Sequence, residues 1–171
     1  MREQRALLTF DVPSIASAEP AVAFDSPSTP RTVQSGREAD VQESTYDCDV
    51  IIVNYNAGPF LARCVSSLPD FVSRVIVVDN GSNDDSLALL TQVCGDSRLH
   101  LIRNGRNLGF AAGCNLGIAA STAQCLLFLN PDCMLHKGSL QRMLDVLQSD
   151  PAVGMVGGLL LSQLLTLYTT P

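Results

Sequence analysis

Short apolar runs alternate with amphipathic segments along the chain from Cys48 onward. Runs of Val, Ile and Leu that stay apolar for four or five residues predict strands buried on both faces, as in a parallel sheet. Each predicted strand is followed by a segment whose apolar residues recur at helical spacing. The predicted strands cover 50–53, 74–78, 99–102 and 125–129, and a fifth begins at 153.

The intervening segments predict four helices. The first begins at Pro59, which suits a first helical turn, and its apolar face includes Phe60. Ser82 or Asn83 is expected to cap the second helix. Strands that alternate with helices predict an α/β fold, with a Rossmann-like, mostly parallel sheet covered by helices on both faces. The remaining helices are predicted at 110–120 and 139–148.

Polar residues follow the predicted strands directly. Asn54, Asp79, Asn130 and Asp132 each stand where a strand ends. In doubly wound sheets, ligands bind outside the carboxyl ends of the strands, where the strand order reverses. We therefore expect the strands at 50–53 and 125–129 to be neighbours beneath a ligand crevice.

Residues 1–47 differ from the rest of the chain. They carry four basic and eight acidic residues and are rich in Pro, Ser, Ala and Glu. They show no sustained period of 2 or 3.6 and no apolar core of a secretory signal. The sequence predicts a flexible, disordered leader at 1–47 and a single domain at 48–171.

Composition narrows the possible partners. The chain has 171 residues and a formal net charge of −6, which argues against a nucleic-acid-binding domain. Its six cysteines have no C-x-x-C spacing and lie mostly in apolar stretches, as expected of buried thiols in a reducing cytoplasm. No segment is apolar enough to predict a membrane span. At most, peripheral attachment at the inner face of a membrane is expected.

Several common chemistries lack their sequence signals. The first predicted strand is followed by neither a G-x-G-x-x-G nor a P-loop pattern, which disfavours a dinucleotide or P-loop enzyme. A serine hydrolase is disfavoured because no G-x-S-x-G elbow exists. We interpret His100 as a structural strand residue and His136 as an exposed loop residue.

Three features suit a nucleotide ligand. The carboxylate of Asp79 can accept a hydrogen bond from the imide N–H of uracil or thymine, although a turn or helix cap is the alternative. The glycines at 109, 113 and 117 allow close backbone approach, either to a ligand or to another element. Asp132 suits Mg²⁺ or Mn²⁺, which bind one or two carboxylates together with substrate phosphates.

Together these residues resemble the family 2 glycosyltransferases, which have a GT-A fold. The resemblance covers about two-thirds of the chain, from Asp49 to Leu161. Its motifs stand in the family's order: VIIVNYN at 50–56, VVDNGS at 77–82, NLGF at 107–110 with Gly113 and Asn115, and LNPD at 129–132. The Asn-Pro-Asp form resembles the rhamnosyltransferase-type branch, whose typical donor is dTDP-L-rhamnose.

The resemblance implies inverting transfer of a sugar from a dTDP- or UDP-sugar to a hydroxyl of a glycan or lipid-linked acceptor. Asp79 would read the base, and Asp132 would bind a divalent cation, Mg²⁺ or Mn²⁺, at the diphosphate. The remaining nucleotide-sugar contacts would come from Asn54, Tyr55, Asn56, Arg106, Asn107, Gly109 and Asn130.

Two departures from the family leave other interpretations open. The family's usual Asp-x-Asp motif begins here with Asn130, and its general base lies beyond the position of Pro171. We therefore expect a fragment that holds the donor-binding part, with exposed apolar patches at 159–161 and at 164–165. The alternatives are a non-catalytic nucleotide-binding remnant, a half that needs a partner, and a sugar-1-phosphate nucleotidyltransferase. The last lacks the basic loop that it would need after the first strand.

Overall fold

The computed structural model describes residues 6–9, 47–94 and 97–161. Its strands are β1 (Ala6–Thr9), β2 (Cys48–Asn54), β3 (Arg74–Asp79), β4 (Leu99–Arg103), β5 (Cys125–Phe128) and β6 (Met155–Gly157). Its helices are α1 (Pro59–Ser66), α2 (Ser86–Val93), α3 (Phe110–Ala120) and α4 (Ser139–Ser149).

The strands form one sheet in the order β4-β3-β2-β5-β1-β6, and every pair in it is parallel. The α/β architecture predicted from the apolar runs is confirmed. Strands β2 and β5 are neighbours, as predicted, and Ile51 pairs with Phe128 at the end of their shared register. The order of the strands reverses between them, which places a ligand crevice there.

Helices cover both faces of the sheet. On one face, α1, α2 and α4 bury residues such as Leu61, Leu90 and Leu144 against β2, β3 and β5. On the other face, α3 covers a smaller cluster around Ile51 and Ile76. All seven residues of β2 are buried, as expected for a central strand covered on both sides.

The glycines of α3 serve packing on β2. A Cβ atom added at Gly113 would lie 2.8 Å from Val53 Cγ1, and one added at Gly117 would lie 2.5 Å from Ile51 Cγ2. Of the two interpretations left open by the sequence, the close approach of two elements is therefore the one observed at these positions. Gly109 stands apart from them, because it precedes the helix with φ +85°.

The structure departs from the sequence prediction at three places. Ala6–Thr9 lies inside the predicted leader and forms β1, paired with β5 and β6. Its four residues are too few to show a period by themselves. Helix α2 begins at Ser86, later than a cap at Ser82 or Asn83 would place it. Phe60 is 51% exposed and is not part of the buried face of α1.

Other sequence predictions fall at the edges of the described region. Leu159 is 85% exposed, and Leu160 and Leu161 are also exposed, as predicted for an apolar patch after β6. The rest of the predicted leader, residues 1–5 and 10–46, lies outside the described residues, as do residues 162–171. Across the described ranges, the longest helices have 11 residues, and none is long and apolar enough to cross a membrane.

Candidate functional site

A cleft of about 510 Å³ opens at the carboxyl ends of β2 and β5. Its walls are the loop that follows β2 and the loop that follows β5, the two neighbouring strands at which the sheet order reverses. The residues that line it are Tyr55, Asn56, Ala57, Gly58, Pro59, Phe60, Asn130, Pro131 and Asp132.

Four of the predicted site residues meet in this cleft: Tyr55, Asn56, Asn130 and Asp132. The side chain of Tyr55 is 52% exposed, so its ring is available to a flat ligand. Phe60, with a similarly exposed ring, adds a second aromatic side chain that sequence reasoning missed. Its position in the first turn of α1, immediately after Pro59, was the available signal.

Asn54 and Asp79 lie beneath the cleft. Asn54 is fully buried, and Asp79 is 4% exposed. The Asn54 amide nitrogen donates to Asp79 Oδ1 at 3.0 Å, and also lies 3.0 Å from Ser82 Oγ and 2.9 Å from Ser86 Oγ. The second carboxylate oxygen of Asp79 accepts the Ser82 backbone N–H at 3.2 Å. The side chain of Asn54 therefore supports Asp79 and does not line the cleft.

Three oxygens of this network keep room for a further hydrogen bond. A carboxylate oxygen can accept two bonds, and each oxygen of Asp79 accepts one bond from the protein. Asn54 Oδ1 is buried and has no partner in the structure. Burying a polar atom without a partner costs free energy, so this network is not fully satisfied by the protein itself.

The loops after β2 and β3 are joined by hydrogen bonds. The Asn56 backbone N–H donates to Ser82 Oγ at 3.0 Å, and Asn56 Oδ1 accepts from the Asn83 N–H at 2.9 Å. The Gly58 N–H donates to Asp84 Oδ2 at 2.7 Å. Sequence reasoning missed Ser82 and Asp84 as parts of the site, because their bonds join residues 26 positions apart and leave no local pattern.

Asp84 also has a shifted acidity. Asp84 is exposed, and the slight desolvation of its carboxylate tends to raise its pKa, but hydrogen bonds from Ser86 and from the Gly58 N–H outweigh this and hold the pKa below its ordinary value of 3.8. The carboxylate is therefore ionised at neutral pH, and its negative charge lies at the start of two helices.

The predicted residues Arg106, Asn107 and Gly109 lie in a separate loop. This loop packs on the end of β3, where a Cβ added at Gly81 would come within 2.8 Å of the Arg106 backbone. The Asn80 side chain donates to the Gly109 carbonyl at 3.1 Å. Asn107 Oδ1 accepts the Gly109 N–H at 2.8 Å. None of the three lines the cleft formed by the loops after β2 and β5.

Asp132 lines the cleft and is exposed. The hydrogen bond that the structure shows for it is a long one of 3.9 Å from the Cys133 thiol. Burial raises the pKa of Cys133, and the charge of Asp132 raises it further. Below the loop, Cys64 Sγ donates to the Asn130 carbonyl at 3.4 Å, and burial raises the pKa of Cys64 to about 12. These thiols are neutral supports of the loop.

The residues that line the cleft suit a metal ion that is bound jointly by the protein and by the phosphates of a substrate. Within the described ranges, no three His, Cys, Asp or Glu side chains gather into a metal site. Asp132 is also the one charged residue among those that line the cleft. Mg²⁺ and similar ions are commonly held by one or two carboxylates, water and substrate phosphates, so a single exposed carboxylate suits such an ion.

The parallel sheet, the reversal of strand order and the cleft above it are those of an α/β fold of the GT-A type. The chain belongs to glycosyl transferase family 2, whose model matches residues 49–166. It is 32% identical over 107 residues to the low-salt glycan biosynthesis hexosyltransferase Agl10 of Haloferax volcanii, a match that covers 60% of this chain and 33% of that protein.

Other relatives extend the comparison. An N-acetylglucosaminyl-diphospho-decaprenol L-rhamnosyltransferase of Mycobacterium tuberculosis is 31% identical over 125 residues, 65% of this chain and 40% of that protein. A mannosyltransferase of Pyrobaculum calidifontis, solved with GDP-Man and Mn²⁺, has a TM-score of 0.57 and 21% identity, over 62% of this chain and 33% of that one. This structural likeness shows the fold. The chain spans about a third of the length of the first curated relatives that it matches.

Proposed function

We propose that this chain is the donor-binding part of a glycosyltransferase that uses a nucleotide-diphospho-sugar. The observation that carries the proposal is the cleft itself, where one exposed carboxylate, Asp132, faces exposed aromatic rings at the switch point of the sheet. A base and a diphosphate are the two parts of a nucleotide-sugar that such a cleft suits.

The nucleoside would lie on the side of the cleft formed by the loop after β2. The exposed ring of Tyr55 offers a stacking surface for a base, and Asn56 offers polar contacts. Asp79 has acceptor capacity left for the imide N–H of uracil or thymine, which favours UDP or dTDP. Arg106, Asn107 and Gly109 would approach the nucleotide from the β3 side, and this assignment remains a prediction.

The diphosphate would lie on the side of the cleft formed by the loop after β5. No cationic side chain is among the described residues that line the cleft, so a diphosphate and Asp132 would repel each other. A divalent cation held by Asp132, beside Asn130, removes this repulsion. When bound, such an ion would stabilise the charge that develops on the leaving nucleoside diphosphate.

The reaction class that we propose is inverting transfer to a hydroxyl of a glycan or lipid-linked saccharide. The Asn-Pro-Asp motif at 130–132 and a relative that is named a rhamnosyltransferase support L-rhamnose from dTDP-L-rhamnose as the donor sugar. The six cysteines are free thiols, which supports a reducing compartment. We place the reaction in the cytoplasm, with a lipid-linked acceptor reached at the inner face of the membrane.

A second candidate is a nucleotide-binding domain that does not catalyse transfer alone. Inverting transfer needs a general base within reach of the acceptor hydroxyl. Asp132 is the one carboxylate among the residues that line the cleft, and the cation would occupy it. This favours a chain that binds the donor and either relies on another polypeptide for the transfer step or takes part in no transfer.

Calorimetric titration of the full chain with dTDP and with UDP, in the presence and absence of Mn²⁺, tests the proposal. We expect Mn²⁺-dependent binding that Asp132→Ala abolishes. Asp70→Ala is the matched control, because Asp70 is an exposed carboxylate whose 3.7 Å ion pair with Arg98 lies outside the cleft. A folded wild-type chain that binds neither nucleotide would overturn the proposal. Release of dTDP from dTDP-L-rhamnose upon addition of acceptor would separate it from the second candidate.

A further inference from the structure

The carboxylate of Asp84 joins the starts of two helices. One oxygen, Oδ2, accepts the N–H of Gly58, the residue that precedes α1, at 2.7 Å. The other, Oδ1, accepts the N–H of Ser86, the first residue of α2, at 3.2 Å and the Ser86 hydroxyl at 2.6 Å. One side chain thus binds donors from two different loops.

Neither helix provides this cap from its own N-cap residue. Gly58 has no side chain, and Asp85, the N-cap residue of α2, makes no side-chain hydrogen bond to its helix. The first N–H groups of a helix have no partner within the helix and favour a negative acceptor. Asp84 meets this need for both α1 and α2.

The loop between β2 and α1 has a backbone that needs outside support. Asn56 has φ +53° and Gly58 has φ +54°. For a residue with a Cβ, a left-handed conformation costs about 1–2 kcal/mol, so contacts must hold it. The contacts observed come from the loop after β3: Ser82 and Asn83 bind Asn56, and Asp84 binds Gly58.

The same loop forms one wall of the cleft. Tyr55, Asn56 and Gly58 all line it, whereas Asp84 does not. We infer that Asp84 is a positioning residue for donor binding: its carboxylate holds the loop 55–58 in the conformation that presents Tyr55 and Asn56 to the nucleoside. This inference rests on the proposed function, because it assigns a role within the same site.

Removal of the carboxylate should reduce the fraction of chains with a binding-competent loop. The apparent affinity of a ligand falls in proportion to that fraction. Loss of a hydrogen bond to a charged acceptor corresponds to a weakening of about tenfold or more in Kd. The ratio of affinities with and without Mn²⁺ should stay unchanged, because Asp132 lies on the opposite wall.

Four versions of the full chain test the inference: wild type, Asp84→Ala, Asp84→Asn and Asp85→Ala. Asp85 is the matched control, because it is the adjacent exposed carboxylate and makes no side-chain cap bond. Each is titrated with dTDP and Mn²⁺ under conditions where urea unfolding shows it to be folded. The Gly58 amide proton is followed in parallel by NMR, since a short bond to a carboxylate shifts it downfield.

We expect Asp84→Ala to weaken dTDP binding about tenfold and to move the Gly58 amide upfield, with Asp85→Ala like wild type. Asp84→Asn keeps one acceptor oxygen and should lose less affinity than Asp84→Ala. Binding by Asp84→Ala within about twofold of wild type would overturn the inference. If Asp84→Ala does not fold, Asp84→Asn decides, and failure of both to fold would show a purely structural role. Failure of wild type to bind nucleotide overturns the proposed function instead, and the Gly58 amide then still reports whether Asp84 holds the loop.

Discussion

The two carboxylates that the sequence predicted for the candidate site lie in opposite surroundings. Asp79, at the end of β3, is 4% exposed, and both of its oxygens accept hydrogen bonds from the protein. Asp132, after β5, is exposed, and the bond shown for it is a 3.9 Å contact from a thiol. The carboxylate beneath the cleft is therefore held by the protein, whereas the carboxylate that lines the cleft is open to an incoming group.

This difference suits the two carboxylates to different tasks: hydrogen bonding to a base for Asp79, and binding of a cation for Asp132. A buried carboxylate held by Asn54 and Ser82 has a fixed direction, which suits selection of a base by hydrogen bonding. An exposed carboxylate has room for an ion with its water and phosphate ligands. The contrast predicts that substitutions on the β3 side change stability, whereas substitutions after β5 change metal-dependent binding.

The largest expected effect on stability comes from Asp79→Ala. This change leaves the Ser82 N–H without its acceptor and removes the bond from the Asn54 amide to a charged oxygen, each at about 1–3 kcal/mol. We expect the free energy of unfolding to fall by about 3 kcal/mol, as measured by urea denaturation. Asp132→Ala should change it by less than about 0.5 kcal/mol. Equal losses of unfolding free energy in the two variants would contradict the contrast between the two carboxylates.

A smaller effect is expected from Ser86→Ala. The Ser86 hydroxyl lies 2.9 Å from the Asn54 amide nitrogen and donates to Asp84 at 2.6 Å, so it links the buried network to the loop above. Its loss should lower the unfolding free energy by about 1 kcal/mol. Thr91→Ala, on the exposed side of α2, is the control, since the Thr91 hydroxyl bonds only within its own helix. A change in Ser86→Ala no larger than in Thr91→Ala would contradict this prediction.

The smallest expected effect is on acid stability. The pKa of Asp84 is lowered in the folded chain, so its ionised form favours folding at every pH above its unfolded value, near 3.8. This contribution is lost as the pH falls below 3.8 toward the folded pKa. Thermal melts of wild type and Asp84→Asn between pH 7 and pH 3 should show a constant difference in Tm above about pH 5, which shrinks below about pH 4. A gap that stays constant to pH 3 would show that the Asp84 charge has no role in stability.

The sequence predicted the centre of the fold well, because its signal there is local. The runs at 50–53 and 75–78 are apolar without interruption, and they form strands covered on both faces. The polar residues at the carboxyl ends of these strands, Asn54 and Asp79, therefore lie side by side at one edge of the sheet. The neighbouring strands β2 and β5 were also predicted, since the reversal of strand order is a property of the fold class.

The rest of the site depends on contacts between residues that are far apart in the sequence. The bond from Gly58 to Asp84 spans 26 positions, and no spacing rule marks it. The position of Arg106 beside the nucleotide stays a prediction; the order of residues alone does not give the path of its loop, whose backbone packs on Gly81. Ala6–Thr9 is a short apolar run far from the other strands, so only its pairing with β5 reveals it as a strand.

The hydrogen bonds that join the loops after β2 and β3 all fall within residues 54–86. Each loop binds backbone groups of the other, so we expect the two loops to tolerate exchange between family members only together. A chimaera that takes residues 54–86 as a block would keep these hydrogen bonds together. One that takes 54–58 alone would separate Asn56 and Gly58 from their partners. Recombination, natural or designed, should therefore succeed at this site when its crossovers flank the pair of loops.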